Sequence, residues 1–539
     1  MALTIEQAVG QQLLLAFNGK DAPPPEISAS FQKIRPAGVT LFRSLNIDTP
    51  AQVHGLTYSL QRAAKDLGLP PLFIATDQEG GQLMAIGPGS TPLPGNMALG
   101  AAGSTKLARQ AGEVLGSELA AMGINLNYAP CCDVNVNPSN PVIGLRSFGE
   151  DPTQVAQMSA AMIAGIQASG VAATAKHFPG HGDTASDSHY GLPTVPHSLE
   201  RLWQVELPPF RAAIQSGVKL VMTAHLALPA IDGPAAPPAT LSSAILGGIL
   251  RNELSFEGVV ISDAMDMQAI RQGEALGEES LRAVIAGVDL LLLTSNPLDH
   301  QRIYASLLSA IRKGRLDPGT VMASAGRILA LKRWLAGQPP PPDINVVGCA
   351  AHQAVAAVIA EHALTLVRDH AGLLPLRLKP EQRMAVIIPR PVNLTPADTS
   401  AHVTPGLTQA LRQYHDNVDE YIYSHTPDEL EIAALLQQAR LYDLLILGTL
   451  NANTSMGQAE LVQQALQIGI PTIVVALRLP YDLAAFPGAP TYLCTYSILE
   501  PSMRALAKAM FGRTAFPGRL PVSIPGLYTM GHYQPQPGV

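Results

Sequence analysis

The chain has 539 residues, 47% hydrophobic and 14% charged, with a formal net charge of −7, so two or three domains with sizeable buried cores are expected. The mild acidity argues against a nucleic-acid partner, which would need a clustered basic face, and no run of like charge marks a tail. Cys131, Cys132, Cys349 and Cys494 form no CxxC pair, so neither a zinc knuckle nor a disulfide framework is implied, and buried free thiols in a reducing compartment are expected.

The first segment, "MALTIEQAVGQQLLLAFNGKD", has no basic leader and only a short apolar run. That run is too short for export or for spanning a bilayer, so a soluble cytoplasmic protein without a membrane role is expected. Short apolar runs then recur at 13–17, 38–42, 71–76, 124–130, 171–175, 219–224, 258–262 and 289–294. They lack strict alternation, which suits strands buried on both faces. Between them lie helical patterns such as "TKLARQAGEVLGSELAAMG" and "TQVAQMSAAMIAGIQASG", each ending on a glycine. Strand and helix alternating about eight times is the pattern of a (β/α)8 barrel, a TIM-like α/β fold.

Titratable residues stand at the ends of these runs: Arg43, Asp77, Asp133, Lys176 with His177, His225 and Asp263. In such a barrel they converge on one mouth, where active sites are built. Individually, some could instead cap the following helix or pair with each other.

Four prolines, Pro339 to Pro342, stop the helical pattern "MASAGRILALKRWL". We divide the chain into a barrel at 1–337, a proline-rich linker at 338–346 and a second domain at 347–539. In the second domain "RMAVIIP", "YDLLILGT" and "PTIVVAL" read as parallel strands, with helices "ELEIAALLQQAR" and "AELVQQALQIG" between them. This is a smaller doubly wound α/β domain. It carries neither GxGxxG nor GxxxxGK[ST], so nucleotide binding has little support.

The richest segment is "AKHFPGHGDTASDSHYGLP", holding His177, His181, Asp183, Asp187 and His189. As a metal site its spacing matches no helical template, because Pro179, Gly180 and Gly182 break any helix; only a loop could gather ligands. As an acid/base loop, Asp187 and His189 lie two apart, so an extended backbone projects both to one side. A carboxylate beside an imidazole fixes its tautomer and favours its protonated form, which suits a general acid that later serves as base. The same pair could simply order the turn. Asp263 in "GVVISDAMDM" is a nucleophile, a charge stabiliser or a helix cap, and Asp266 a helix-start residue. Asp77 in "ATDQEGG" has the same functional and capping readings as Asp263. Arg146 in "GLRSFGED" either forks hydrogen bonds to substrate oxygens or pairs with Glu150 or Asp151.

Taken together, "ATDQEGG", "NYAPCCDVNVNPSNPVIGLRSFGEDP", "AKHFPGHGDTASDSH", "VMTAHLALPAID", "LRNELSFEGVVISDAMDM" and "AGVDLLLL" resemble glycoside hydrolase family 3, within it the β-N-acetylhexosaminidases of the NagZ type. The second domain resembles the family's C-terminal α/β sandwich, including "ALTLVRDHAGLLPL" and "FPGRLPVSIPGLYTMGHY". The resemblance implies retaining hydrolysis of a terminal β-linked N-acetylhexosamine in a carbohydrate substrate, with no metal or organic cofactor. It implies Asp263 as nucleophile, His189 as general acid/base with Asp187 as its partner, and Asp77, Arg146, Lys176 and His177 as sugar-binding residues. The family analogy also suggests cell-wall peptidoglycan turnover. Gln82 and Ala85 stand where the family usually carries arginines, one of them expected to help hold the sugar. Cys131 and Cys132 replace more usual apolar residues and are read as packing. A β-glucosidase or an N-acetylglucosaminide phosphorylase of the same family, a metal-dependent barrel hydrolase and a non-catalytic sugar-binding protein are the competing readings.

Overall fold

The computed structural model describes residues 3–535. Ten strands belong to the first part of the chain: β1 (Leu13–Leu15), β2 (Gly38–Thr40), β3 (Phe73–Thr76), β4 (Gln78–Gly80), β5 (Leu83–Met84), β6 (Leu126–Asn127), β7 (Ala172–Phe178), β8 (Leu220–Thr223), β9 (Val259–Ile261) and β10 (Leu291–Leu292). All but β4 and β5 form one parallel sheet in the order β10-β1-β2-β3-β6-β7-β8-β9. A parallel bridge between Ile261 and Leu290 closes it into a barrel. Each of the eight apolar runs expected from the sequence overlaps one of these strands, β7 extending past its run to Phe178. β4 and β5 make a small antiparallel hairpin directly after Asp77.

Alternation along the strands decides which residues fill the barrel. Leu14, Phe73, Leu126, Leu220, Val259 and Leu292 join one buried cluster, with Ile328 and Leu331 of the helix Pro318–Ala336. Their neighbours Leu13, Leu15, Ile74, Val221, Val260 and Leu291 join another, against the surrounding helices. Every strand is therefore buried on both faces, which is why the sequence shows continuous apolar runs. Each such aliphatic side chain contributes about 1.5–3 kcal/mol by leaving water.

The second sheet has six strands: β11 (Thr365–Asp369), β12 (Met384–Pro389), β13 (Val418–Tyr423), β14 (Leu444–Thr449), β15 (Thr472–Ala476) and β16 (Thr491–Cys494). Their order is β11-β16-β15-β14-β12-β13, with only β11 antiparallel to its neighbour. The sequence reading found β12, β14 and β15 and not β11, β13 and β16. β13 is an edge strand with polar residues facing water, and its alternating burial dilutes the apolar signal.

The two parts share one core. Met97, Ala98, Ala101 and Leu145 of the barrel cluster with Ala363, Leu520, Val522 and Ile524. Ser523 donates to Glu150 through backbone and hydroxyl, at 2.9 and 2.5 Å. Among the described residues one helical stretch, Ile344–Ala363, is long and apolar enough by composition to cross a membrane. Here it packs through Ala356, Ile359, Ala360 and Ala363.

Candidate active site

β7 runs to Phe178 and so presents Lys176 and His177 at the barrel mouth. Lys176 Nζ lies 2.6 Å from Asp77 Oδ1 and 2.7 Å from Glu79 Oε1. Arg146, on a short 3-10 turn, donates to Glu79 through Nη2 at 2.8 Å and Nε at 3.0 Å. Arg146 thus pairs with Glu79, not with Glu150 or Asp151. Burial alone would raise the Glu79 carboxyl, but the flanking Arg146 and Lys176 outweigh it and hold its pKa down to about 2. The same contacts outweigh burial at Lys176 and Arg146 and push both upward, so all three stay charged.

His177 is oriented by Asp133, whose Oδ2 lies 2.8 Å from Nδ1. Asp133 is buried, yet His177 and His181 hold its carboxyl below the usual range. It therefore accepts, Nδ1 carries the proton, and the bare Nε2 accepts from Arg146 Nη2 at 3.3 Å. Asp133 also takes the backbone N–H of His181 at 2.6 Å, which fixes the start of the histidine loop. Gly182 presses on Val134 there; a Cβ would fall 1.8 Å from the Val134 carbonyl oxygen.

Within that loop the three histidines go to three different partners. His181 is pinned between Thr184 Oγ1 at 2.7 Å and Ser188 Oγ at 3.0 Å, and burial drops its pKa to about 4. Asp183 pairs with His197, at 2.6 Å, away from the site. Asp187 Oδ1 lies 2.6 Å from His189 Nδ1 and accepts the His189 backbone N–H at 2.9 Å. Although burial opposes it, His189 holds the Asp187 carboxyl below the ordinary range. An ionised Asp187 can only accept, so Nδ1 carries the proton and Nε2 is left free for chemistry.

Asp263 follows β9, with Oδ1 accepting the Ala264 N–H at 2.8 Å. Burial would raise its carboxyl; His177, His225 and His189 together lower it, so it is a carboxylate. His225 is fully buried, with Nε2 3.1 Å from the Ala264 carbonyl and Nδ1 2.7 Å from Thr240 Oγ1. It braces the turn that carries Asp263. Burial pushes the Asp266 carboxyl up, helped by the nearby Asp263.

A cavity of 830 Å³ joins these groups, within the usual range for ligand sites. Asp77, Arg146, Lys176, His177, His189 and Asp263 all line it. Asp187 stands behind His189 as its support. Arg43, named at a strand end, also lines the cavity and donates to the Met84 carbonyl at 3.0 Å. Asp133 and His225 do not line it and act through their neighbours.

Two features escaped the sequence reading. Glu79, the counter-charge for two cations, lies two residues past the conspicuous Asp77; an acid followed by two glycines in "DQEGG" was the available signal. The second domain also reaches the cavity, through Asn393, Ala397, Asp398, Thr399 and His402. Gln82 does not line the cavity: its Oε1 accepts from Arg478 Nη2 of the second domain at 2.5 Å. The metal-ligating cluster found among the described residues is Cys131, Asp133 and His177, with candidate atoms within 4.8 Å of one another. Asp133 there is already saturated by the N–H groups of His177 and His181, the His177 ring and the Cys131 thiol. Metal capture would have to break that network.

Residues 4–331 match the family model described as the Glycosyl hydrolase family 3 N terminal domain. A relative named Beta-hexosaminidase A, from Pseudoalteromonas piscicida, is 31% identical over 97% of this chain and 97% of its own. One named Beta-N-acetylglucosaminidase/beta-glucosidase, from Cellulomonas fimi, is 31% identical over 84% of this chain and 83% of its own. Among solved structures, a glycoside hydrolase family 3 beta-N-acetylglucosaminidase from Paenibacillus sp. str. FPU-7 superposes with a TM-score of 0.91 at 38% identity, covering 96% of this chain and 99% of that one. The barrel, its charged mouth and a match spanning most of the first domain lead to one conclusion: this chain belongs to glycoside hydrolase family 3.

Proposed function

We propose that the protein is a retaining exo-β-N-acetylglucosaminidase that works through a covalent glycosyl-enzyme. The observation that carries this is the joint lining of one cavity by the Asp263 carboxylate and by His189, whose Nδ1 is held 2.6 Å from Asp187. Asp263 attacks the anomeric carbon of a terminal N-acetylhexosamine. His189, in the imidazolium form that Asp187 supports, gives its Nε2 proton to the departing glycosidic oxygen; left neutral, Nε2 then takes a proton from the water that cleaves the intermediate. Most retaining glycosidases use two carboxyl groups; here an imidazole backed by Asp187 fills the acid's role. Asp77, Arg146, Lys176 and His177 form a fixed array of donors and acceptors for sugar hydroxyls. Its two cations are neutralised in advance by Asp77 and Glu79, and Asp133 fixes the His177 ring, so the array needs no reorganisation when substrate arrives.

Activity toward N-acetylglucosaminides is supported by the names of the relatives and of the structural neighbour. Cell-wall turnover in the cytoplasm is the setting we propose; the four free cysteines favour a reducing compartment.

The test is turnover of aryl β-N-acetylglucosaminide, with the product anomer followed from the first minutes. His189→Ala is expected to lose about 10²–10⁴-fold in kcat, and Asp263→Ala at least as much. Undiminished turnover by the Asp263 variant would remove the nucleophile. Sugar 1-phosphate formed on adding phosphate would make the enzyme a phosphorylase, and a higher rate on the glucoside would make it a glucosidase. Loss of activity to a chelator would point to a metal hydrolase.

A further inference from the structure

The segment 393–402 of the second domain carries no strand and only one 3-10 turn, yet it is firmly built. Asp398 accepts from Arg478 Nη1 at 2.9 Å, from Ser400 N at 2.8 Å and from Leu394 N at 3.2 Å. The segment is latched onto the β4–β5 hairpin of the barrel. Gln82 O accepts from both Thr399 N at 2.7 Å and Thr399 Oγ1 at 2.8 Å, while Gln82 Oε1 accepts from Arg478. Ala397 packs against Leu83, Cys131, Val142 and Ile143.

Two polar side chains of this wall are exposed at the cavity and keep hydrogen-bonding groups that no atom of the described residues uses. Asn393 Oδ1 accepts from Ala401 N at 2.8 Å, which leaves its Nδ2 without a partner among the described residues. The His402 ring has none either, and both side chains line the cavity. Their position relative to a sugar follows from the barrel. β3 and β9 lie four strands apart in a ring of eight, so Asp77 and Asp263 face each other across the mouth. A pyranose with its anomeric carbon at Asp263 turns its C3–C4 edge toward Asp77, Lys176 and Arg146. The latched segment sits on the hairpin that follows Asp77 and lines the same cavity.

We propose that segment 393–402 is the end wall of the sugar pocket, and that Asn393 and His402 read the hydroxyl edge of the terminal sugar, its C4 configuration included. The ligand group is an uncharged sugar hydroxyl. This assignment rests on the glycosidase reading above and adds a specificity determinant outside the barrel.

The experiment uses the full chain with Asn393→Asp, which keeps the acceptor for Ala401 N and removes the free donor, and with His402→Ala. Steady-state kinetics are measured on aryl β-N-acetylglucosaminide and on its C4 epimer, the N-acetylgalactosaminide. Each variant is expected to raise KM for the glucosaminide roughly 3- to 10-fold, the worth of one neutral hydrogen bond, with kcat within about twofold. The preference for the glucosaminide over its epimer falls by a similar factor. Wild-type KM and wild-type epimer preference in both variants, with an unchanged melting curve, would overturn the proposal. A KM effect that grows with aglycone size while the epimer preference stands would also overturn it, by placing the wall on the leaving-group side. A failure of the glycosidase reading shows instead in the Asp263 variant, so the two outcomes are separable.

Discussion

Glu79 at the barrel mouth and Asp482 in the second domain are both fully buried carboxyls, and their surroundings drive them in opposite directions. Glu79 is held down to about 2, because Arg146 and Lys176 outweigh the cost of burial. Asp482 is pushed up to about 6 by burial, against hydrogen bonds from Thr449 and from the Asn453 and Ala452 backbone and a weaker pull from Arg478. The first acid is one part of a charge array facing a cavity. The second serves as an internal acceptor that ties a loop, with Thr449 Oγ1 donating at 2.6 Å. Burial is equal in the two places, so burial alone says little about function. What distinguishes the reactive region is opposite charges packed together at an opening.

The contrast predicts unequal responses to neutralisation. Glu79→Gln leaves Arg146 without its carboxylate and Lys176 with Asp77 alone. Breaking a buried ion network of this kind costs about 3–5 kcal/mol, to be read as a lowered urea midpoint together with a raised KM. An unchanged midpoint would mean that the array is not held by Glu79.

Asp187→Asn keeps an acceptor for His189 but removes the charge that, in the proposed mechanism, supports an imidazolium during proton transfer. A fall in kcat of about a hundredfold is expected, with KM nearly constant and stability unaffected. A change confined to KM would recast the pair as a turn-ordering contact.

Asp482→Asn gives the smallest effect, and its sign is opposite to that at Glu79. Because the folded pKa of Asp482 lies above its unfolded value of 3.8, the native state binds the extra proton. Its stabilising contribution is present below about pH 4 and is lost as pH rises through about 6. For Glu79, the contribution is present above 4.5 and is lost as pH falls toward about 2. The Asn variant is therefore expected to flatten the stability profile between about pH 4 and pH 6, and to gain roughly 1–3 kcal/mol at neutral pH. Denaturant titrations across that range check it.

The same two regions differ in how much the sequence discloses. In the barrel, doubly buried strands leave unbroken apolar runs, so a charged residue at a run's end stands out, as Asp77, Lys176 and Asp263 do. Asp187 and His189 are legible because they are near neighbours in one loop. Glu79 was not, because its meaning comes from Arg146, 67 residues further along the chain. Segment 393–402, NLTPADTSAH, reads as a plain loop without apolar periodicity. Its place in the cavity depends on Arg478 and Gln82, 396 residues apart, finding each other. Local pattern carries strands and adjacent pairs; it carries nothing about which distant loop will close a wall.

The shared apolar core has a practical consequence for anyone cutting this chain. Pro339 to Asp343 are all exposed, so a protease site built into that stretch would be within reach of the protease. A single nick there would still leave Met97 and Leu145 sealed against Val522 and Ile524, and the two fragments should travel together through a sizing column. Prising them apart would instead give a barrel with a greasy scar on its flank, prone to clump rather than to work alone.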